Sequence, residues 1–266
     1  MTITSGLRRR ALLGALAVVS ALAALPAGTA SAALALPFPD KPGEFLATGT
    51  RTVFGAQIPL TSATPEATLR LAGQSPVKAA GTGTLTVVPG QGRTHVGRNA
   101  IQQSVGMSMY LSDLSMDFPG QAAGDLALRL DAGRPTPPSG LSVLDPDRCS
   151  KRFTELFHNP LKWPALTAEH NRDPVAFYKH YLPIFYPARN DLHANVNATS
   201  TKFPGVTLIN KHTIALTNTN IRRFPPAGAA YALSAPIELV DAKHPDGPTL
   251  ITIEQMNTTL THTPSP

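Results

Sequence analysis

The chain has 266 residues with 23 lysines and arginines against 17 acids, a formal charge of +6, and is long enough for one large domain or two small ones. Charged residues are only 15% of the whole, and Arg8–Arg10 supply three of the positive charges, so the rest carries a scattered 20 bases against 17 acids, which excludes an obvious nucleic-acid binder. A single cysteine excludes an internal disulfide and a multi-cysteine zinc site.

Met1–Ala32 has the three parts of a secretory signal. Arg8-Arg9-Arg10 forms the charged start, Ala11–Leu25 is apolar and uncharged, and Ala30-Ser31-Ala32 offers small residues at a cleavage site. The apolar stretch is shorter than the ~20 residues of a spanning helix and is followed by Pro26 and Gly28. Cleavage is expected after Ala32, leaving 33–266 as one β-rich extracellular domain. Leu7-Arg8-Arg9-Arg10-Ala11-Leu12-Leu13 suits the general export route and also resembles a twin-arginine signal. No cysteine stands at the cleavage site, so no lipoprotein anchor is expected.

Residues 33–44 hold Pro37, Pro39, Pro42 and Gly43 and read as an extended lead-in. From about 45 to 143 the apolar residues recur with period two. Leu69 and Leu71 alternate with polar neighbours, as do Leu85 and Val87 before Pro89-Gly90. Val105, Met107, Met109 and Leu111 make the clearest strand; Leu114, Met116 and Phe118 continue it in the opposite phase. A one-residue bulge near Ser112-Asp113 would return all seven side chains to one face. Leu126, Leu128 and Leu130 form another strand, and residues 134–147, with four prolines, read as a turn region.

The period then becomes helical. Asp145-Pro146 and Asp173-Pro174 each combine a capping carboxylate with a proline that has no amide hydrogen to leave unpaired. Cys149, Phe153, Leu156 and Phe157 form the stripe of the first helix, which Pro160 and Pro164 limit; Phe177, Tyr178, Tyr181 and Leu182 form that of the second. Strand patterns return at Val206–Leu208, Thr213–Ile221, Tyr231–Leu233, Ile237–Val240 and Thr249–Gln255, and Thr258–Pro266 reads as a polar tail. The expected fold is mainly β, an antiparallel sandwich or barrel, with a short two-helix aromatic insert at about 146–186.

Eight of the 16 aromatics fall within 153–186. Trp163, Phe177, Tyr178, Tyr181, Phe185 and Tyr186 are therefore the candidate lining of an apolar pocket or lipid-touching surface; packing between insert and sheet is the competing use. Four histidines, His158, His170, His180 and His193, lie in or beside the same segment. With Asp173 as an orienting carboxylate, His158, His170 and His180 are the candidate general bases. Cys149 sits in the first turn of a helix beside Arg148, Lys151 and Arg152, which makes it a candidate thiolate nucleophile; its place on the apolar stripe with Phe153 and Leu156 favours a small buried hydrophobe, since free cysteine is among the most buried residue types. No His-Glu-x-x-His or other ligand spacing is present, so neither metal nor cofactor is expected. Gly-x-Ser-x-Gly is absent, since Gly73–Val77, Gly106–Tyr110 and Gly140–Leu144 all lack the last glycine. Arg98, Arg129 and Arg222-Arg223 are dispersed along the chain and form no basic patch in sequence.

Arg8–Arg10, the Ala/Leu-rich core and Ala30-Ser31-Ala32 are similar to the export signals of high-GC actinomycetes. In size and in lacking Gly-x-Ser-x-Gly, the chain after Ala32 resembles the small extracellular cholesterol esterases of that group. The resemblance implies hydrolysis of steryl or other fatty esters, and it carries over no catalytic residue. Two functions follow as expectations. One is a secreted hydrolase of apolar carboxylic esters with the insert as lid or interface; the alternative is a non-catalytic extracellular β protein binding a hydrophobic ligand. The expected partner is an apolar small molecule or lipid, with peripheral contact to lipid surfaces within reach, and not nucleic acid.

Overall fold

The computed structural model describes residues 35–90, 105–121 and 124–264; the expected export signal lies outside them. Among the described residues, thirteen strands, all paired antiparallel, form one continuous sheet. Eight of them close into a ring. β1 (Ile58–Leu71), β3 (Thr82–Pro89), β4 (Gly106–Gln121), β6 (Ser139–Val143), β7 (Ala188–Ala194), β10 (Ile214–Ile221), β11 (Ala229–Leu233) and β13 (Ile251–His262) pair in that order, and β13 returns to β1. A second ring shares β13, β1, β3 and β4 and is completed by β5 (Gly124–Leu130), β8 (Val196–Ser200), β9 (Leu208–Asn210) and β12 (Ile237–Asp241). Short β2 (Val77–Ala80) pairs with β1 at one edge. The mainly β, barrel-like architecture agrees with the sequence pattern.

The long shared strands explain how one sheet closes twice. β4 gives Gly106–Met109 to β6 and Ser115–Gln121 to β5, with β3 bridging the middle. Its register slips where Thr86 faces Asp113 and Val87 faces Leu111, so Ser112 is the extra residue. The expected bulge is there, and Met107, Met109, Leu111, Leu114, Met116 and Phe118 are all buried. Such a bulge bends and twists the strand, which carries β4 from one ring to the other. β1 breaks register between Ala63 and Glu66 beside Thr64, whose φ is +39°.

Helices pack as a cap. α1 (Pro42–Phe54) forms where an extended lead-in and the start of the period-two region were expected. Pro42 begins it rather than preventing it, and Phe45, Leu46, Gly49 and Thr50 make a buried stripe at helical spacing. The insert holds three α-helices rather than two: α2 (Pro146–Phe157), α3 (Trp163–Arg172) and α4 (Pro174–Tyr181), with 3-10 turns at Pro160–Lys162 and Leu182–Phe185. Pro164, read as a stop, is the second residue of α3. Both aspartate caps form: Asp145 accepts from the Arg148 amide at 2.9 Å and Asp173 from the Ala176 amide at 3.0 Å.

Phe45 sits at the centre of the cap, its ring 4.7–6.2 Å from those of Phe38, Phe153, Phe157, Phe177, Tyr178 and Phe185. Gly49 lets α1 approach α4, since a Cβ there would lie 2.6 Å from Tyr178 Cδ1. Among the described residues, no helix is long and apolar enough to cross a membrane.

Candidate functional site

The sheet and cap meet at a cleft of about 450 Å³. Val53 and Phe54, at the end of α1, form one wall; Lys179, Leu182, Pro183 and Tyr186, from the end of α4 and the turn after it, form the second. The β10–β11 connection, Arg222–Ala227, forms the third, and His262, the last residue of β13, closes the cleft. The His262 amide donates to the Pro226 carbonyl at 2.8 Å, and the Gly228 amide donates to Thr261 Oγ1 at 3.1 Å, which fastens the connection to β13. The imidazole meets the Phe54 ring edge-on at 6.1 Å.

Charge on this cleft has one sign. Lys179, Arg222 and Arg223 are exposed on its lining, and the lining contains no carboxylate. Among the described residues none of the three cations forms an ion pair, whereas Arg70, Arg129, Arg134, Arg148 and Arg189 all do. Burial holds the His262 imidazole below the usual histidine value, so it is neutral near pH 7. The Tyr186 ring lines the cleft, while its hydroxyl is buried near the Phe224 backbone without a partner in hydrogen-bonding geometry, and burial pushes its titration far up.

Polar groups also lie inside the first ring. Buried Asn190, on β7, donates from Nδ2 to the Gly140 carbonyl at 2.8 Å and accepts at Oδ1 from the Tyr231 hydroxyl at 2.6 Å. Ser62 and Thr258 share a short hydroxyl–hydroxyl hydrogen bond between β1 and β13. These pairs are satisfied and cross-brace the ring.

The residues singled out from sequence do not converge. Cys149 is 1% exposed, and its thiol is pushed up to about 11 because burial outweighs Arg148 and Arg152. It is the small hydrophobe of the α2 stripe rather than an activated nucleophile. His158 is exposed and its Nε2 hydrogen-bonds the Asp40 carbonyl at 2.9 Å. His170 packs its ring against Phe38, Phe177 and Tyr178. His180 is exposed against Tyr181, and Asp173 is engaged as a helix cap. Among the described residues no hydrogen bond joins any of these histidines to Cys149 or Asp173, and no group of three or more His, Cys, Asp or Glu is placed to hold a metal.

The aromatic candidates divide differently. Phe177, Tyr178 and Phe185 are buried in the cap, and burial raises the Tyr178 hydroxyl to about 12. Trp163 donates from Nε1 to the Phe157 carbonyl at 2.7 Å, and Tyr181 donates to Glu169 at 3.2 Å. These five residues hold the insert together; Tyr186 alone of the six lines the cleft. Lys179, Phe224, the Arg222-Arg223 pair and His262 went unassigned from sequence because their partners lie tens of residues away. The basic pair followed by an aromatic and two prolines was the one local signal.

The thiol's position has a direct consequence. Ellman's reagent at pH 8 is expected to leave Cys149 essentially unreacted in the folded protein and to titrate one thiol after unfolding in guanidinium. Fast reaction in the native state would place the thiol at the surface.

No protein-family model and no curated protein matches the chain. Among solved structures, the fold is similar to that of DynF from the dynemicin biosynthesis pathway of Micromonospora chersina, with a TM-score of 0.52, 14% identity, and 79% of this chain and 81% of that chain covered.

Proposed function

We propose that this is an exported protein that binds an apolar small molecule or lipid in the cleft between cap and barrel, without chemistry upon it. The observation that carries this reading is the cleft itself. Its size lies within the range of roughly 300–1,000 Å³ typical of small-molecule sites. Its walls are largely apolar, with Val53, Phe54, Leu182, Phe224, Pro225 and Pro226 beside a few polar groups. Export rests on the Met1–Ala32 pattern. The ester-hydrolase reading asks for a nucleophile and an orienting carboxylate beside a base. His262 is a neutral base at the cleft, yet among the described residues its ring has no hydroxyl, thiol or carboxylate as hydrogen-bond partner.

The test is titration of the purified protein with Nile red, a neutral apolar probe, followed by displacement with 1-dodecanol. Ala227→Trp adds bulk at an exposed wall position and is expected to weaken binding about tenfold or more without changing the unfolding midpoint. Absent binding, or binding indifferent to Ala227→Trp, would reject the cleft. Turnover of p-nitrophenyl decanoate that is lost in His262→Ala would replace this reading with the hydrolase.

A further inference from the structure

The charge around the cleft narrows the ligand class, on the assumption that the cleft is the binding site proposed above. Three basic side chains reach it from two separate elements: Lys179 from the last turn of α4, Arg222 and Arg223 from the connection after β10. Among the described residues, other cations of the chain, such as Lys151 and Arg172, are also exposed without an ion pair; what sets these three apart is that they share one apolar cleft. The exposed Arg129 pairs with Asp117 at 2.8 Å and Arg148 with Asp145 at 3.6 Å. At the cleft, no carboxylate lines the wall. The apolar wall of Phe54, Leu182 and Phe224 adjoins these cations directly.

We infer that the ligand is a single-chain anionic amphiphile, a long-chain carboxylate. Its chain lies on the apolar wall and its head is held by Arg222, Arg223 and Lys179. Guanidinium groups match a carboxylate with paired, charge-assisted N–H donors. The ammonium of Lys179 adds a point charge from the opposite wall. The head stays near solvent and the chain is removed from water, so neither end meets an unfavourable surface.

The experiment compares dodecanoate, 1-dodecanol and dodecyltrimethylammonium below their micelle concentrations, by calorimetry at pH 8, on the wild type and on the Arg222→Gln/Arg223→Gln and Lys179→Gln variants. These side chains are exposed, so the variants are expected to keep the wild-type unfolding midpoint. Dodecanoate is expected to bind about tenfold or more tightly than dodecanol, and the cation not at all. The double variant is expected to lower dodecanoate affinity about tenfold or more and to change dodecanol affinity by far less, so that the preference is lost. Equal affinity for dodecanoate and dodecanol would overturn the anionic class and leave the apolar cleft standing. No binding of any chain would reject the cleft itself. A carboxylate preference that survives both variants would move the anion elsewhere. Capture by phosphatidylglycerol vesicles, lost in the double variant and without binding of monomeric dodecanoate, would make the patch a membrane-facing surface and overturn the proposal.

Discussion

Phe45→Ala is expected to destabilise the fold by about 3–5 kcal/mol, the usual cost of removing a fully buried phenylalanine. The ring is inaccessible to solvent and touches six other aromatic rings, and those rings come from α2, α4, the turn after α4 and the chain before α1. Phe45 therefore contacts every part of the cap's aromatic core except α3. Neighbours fixed by their own helices cannot collapse into the space, so the transfer term and the cavity term both count. For a chain of this size the loss corresponds to a fall of roughly 6–20 °C in unfolding midpoint. Thermal unfolding followed by circular dichroism measures it. Leu161→Ala is the control, because Leu161 is 91% exposed and its removal is expected to move the midpoint by no more than about 1–2 °C. A Phe45→Ala shift no larger than that of Leu161→Ala would show that the cap is not packed as described.

Asn190→Ala is the second large effect, and its origin is polar rather than apolar. The side chain satisfies the Gly140 carbonyl on β6 and the Tyr231 hydroxyl on β11 at once. Truncation leaves the buried Tyr231 hydroxyl without its acceptor, at a cost of about 1–3 kcal/mol, removes the bond to Gly140 and opens a void at a fully buried site. Tyr231 cannot escape by ionising, because burial and the nearby Tyr186 and Asp191 push its titration far up. Asn190→Leu combined with Tyr231→Phe removes donor and acceptor together, keeps the volume, and is expected to be less destabilising than Asn190→Ala alone. Urea unfolding of wild type, both single variants and the pair gives the coupling. Additive losses would mean that the two side chains do not share a hydrogen bond.

Much of the sheet was legible because its alternation is chemically clean. β4 declared its own bulge: apolar residues on odd numbers to Leu111 and on even numbers from Leu114 require one extra residue between them. Strands with polar inward residues were hidden. β7 buries Ala188, Asn190 and Leu192 while exposing Arg189, so no apolar period marks it. β13 continues through Thr258 and Leu260 to His262, although its threonines read as a tail. β6 runs through Ser139 and Gly140 in a stretch dominated by prolines. α1 was concealed by the prolines around it, of which Pro42 starts the helix.

The candidate site was less legible, for a related reason. Concentration of aromatics in one segment signalled the cap correctly as a structural unit, but density in sequence does not distinguish core from lining. Phe177 and Phe185 became core, and Tyr186, one residue further, reached the cleft. The charges that rim the cleft come from positions 179, 222 and 223, and His262 comes from the far end of the chain. Closure of β13 onto β1 and the bond from the His262 amide to Pro226 bring them together. That juxtaposition depends on topology, which short-range patterns do not encode.

The binding cleft is tested most directly by an NMR titration of the purified, isotope-labelled protein with dodecanoate. Saturable shifts are expected at Val53, Leu182, Phe224 and the His262 imidazole, while the cap-core residues Phe45 and Phe153 stay unmoved. Shifts centred on another surface, or none at concentrations up to the micelle limit, would contradict a ligand-binding role for the cleft.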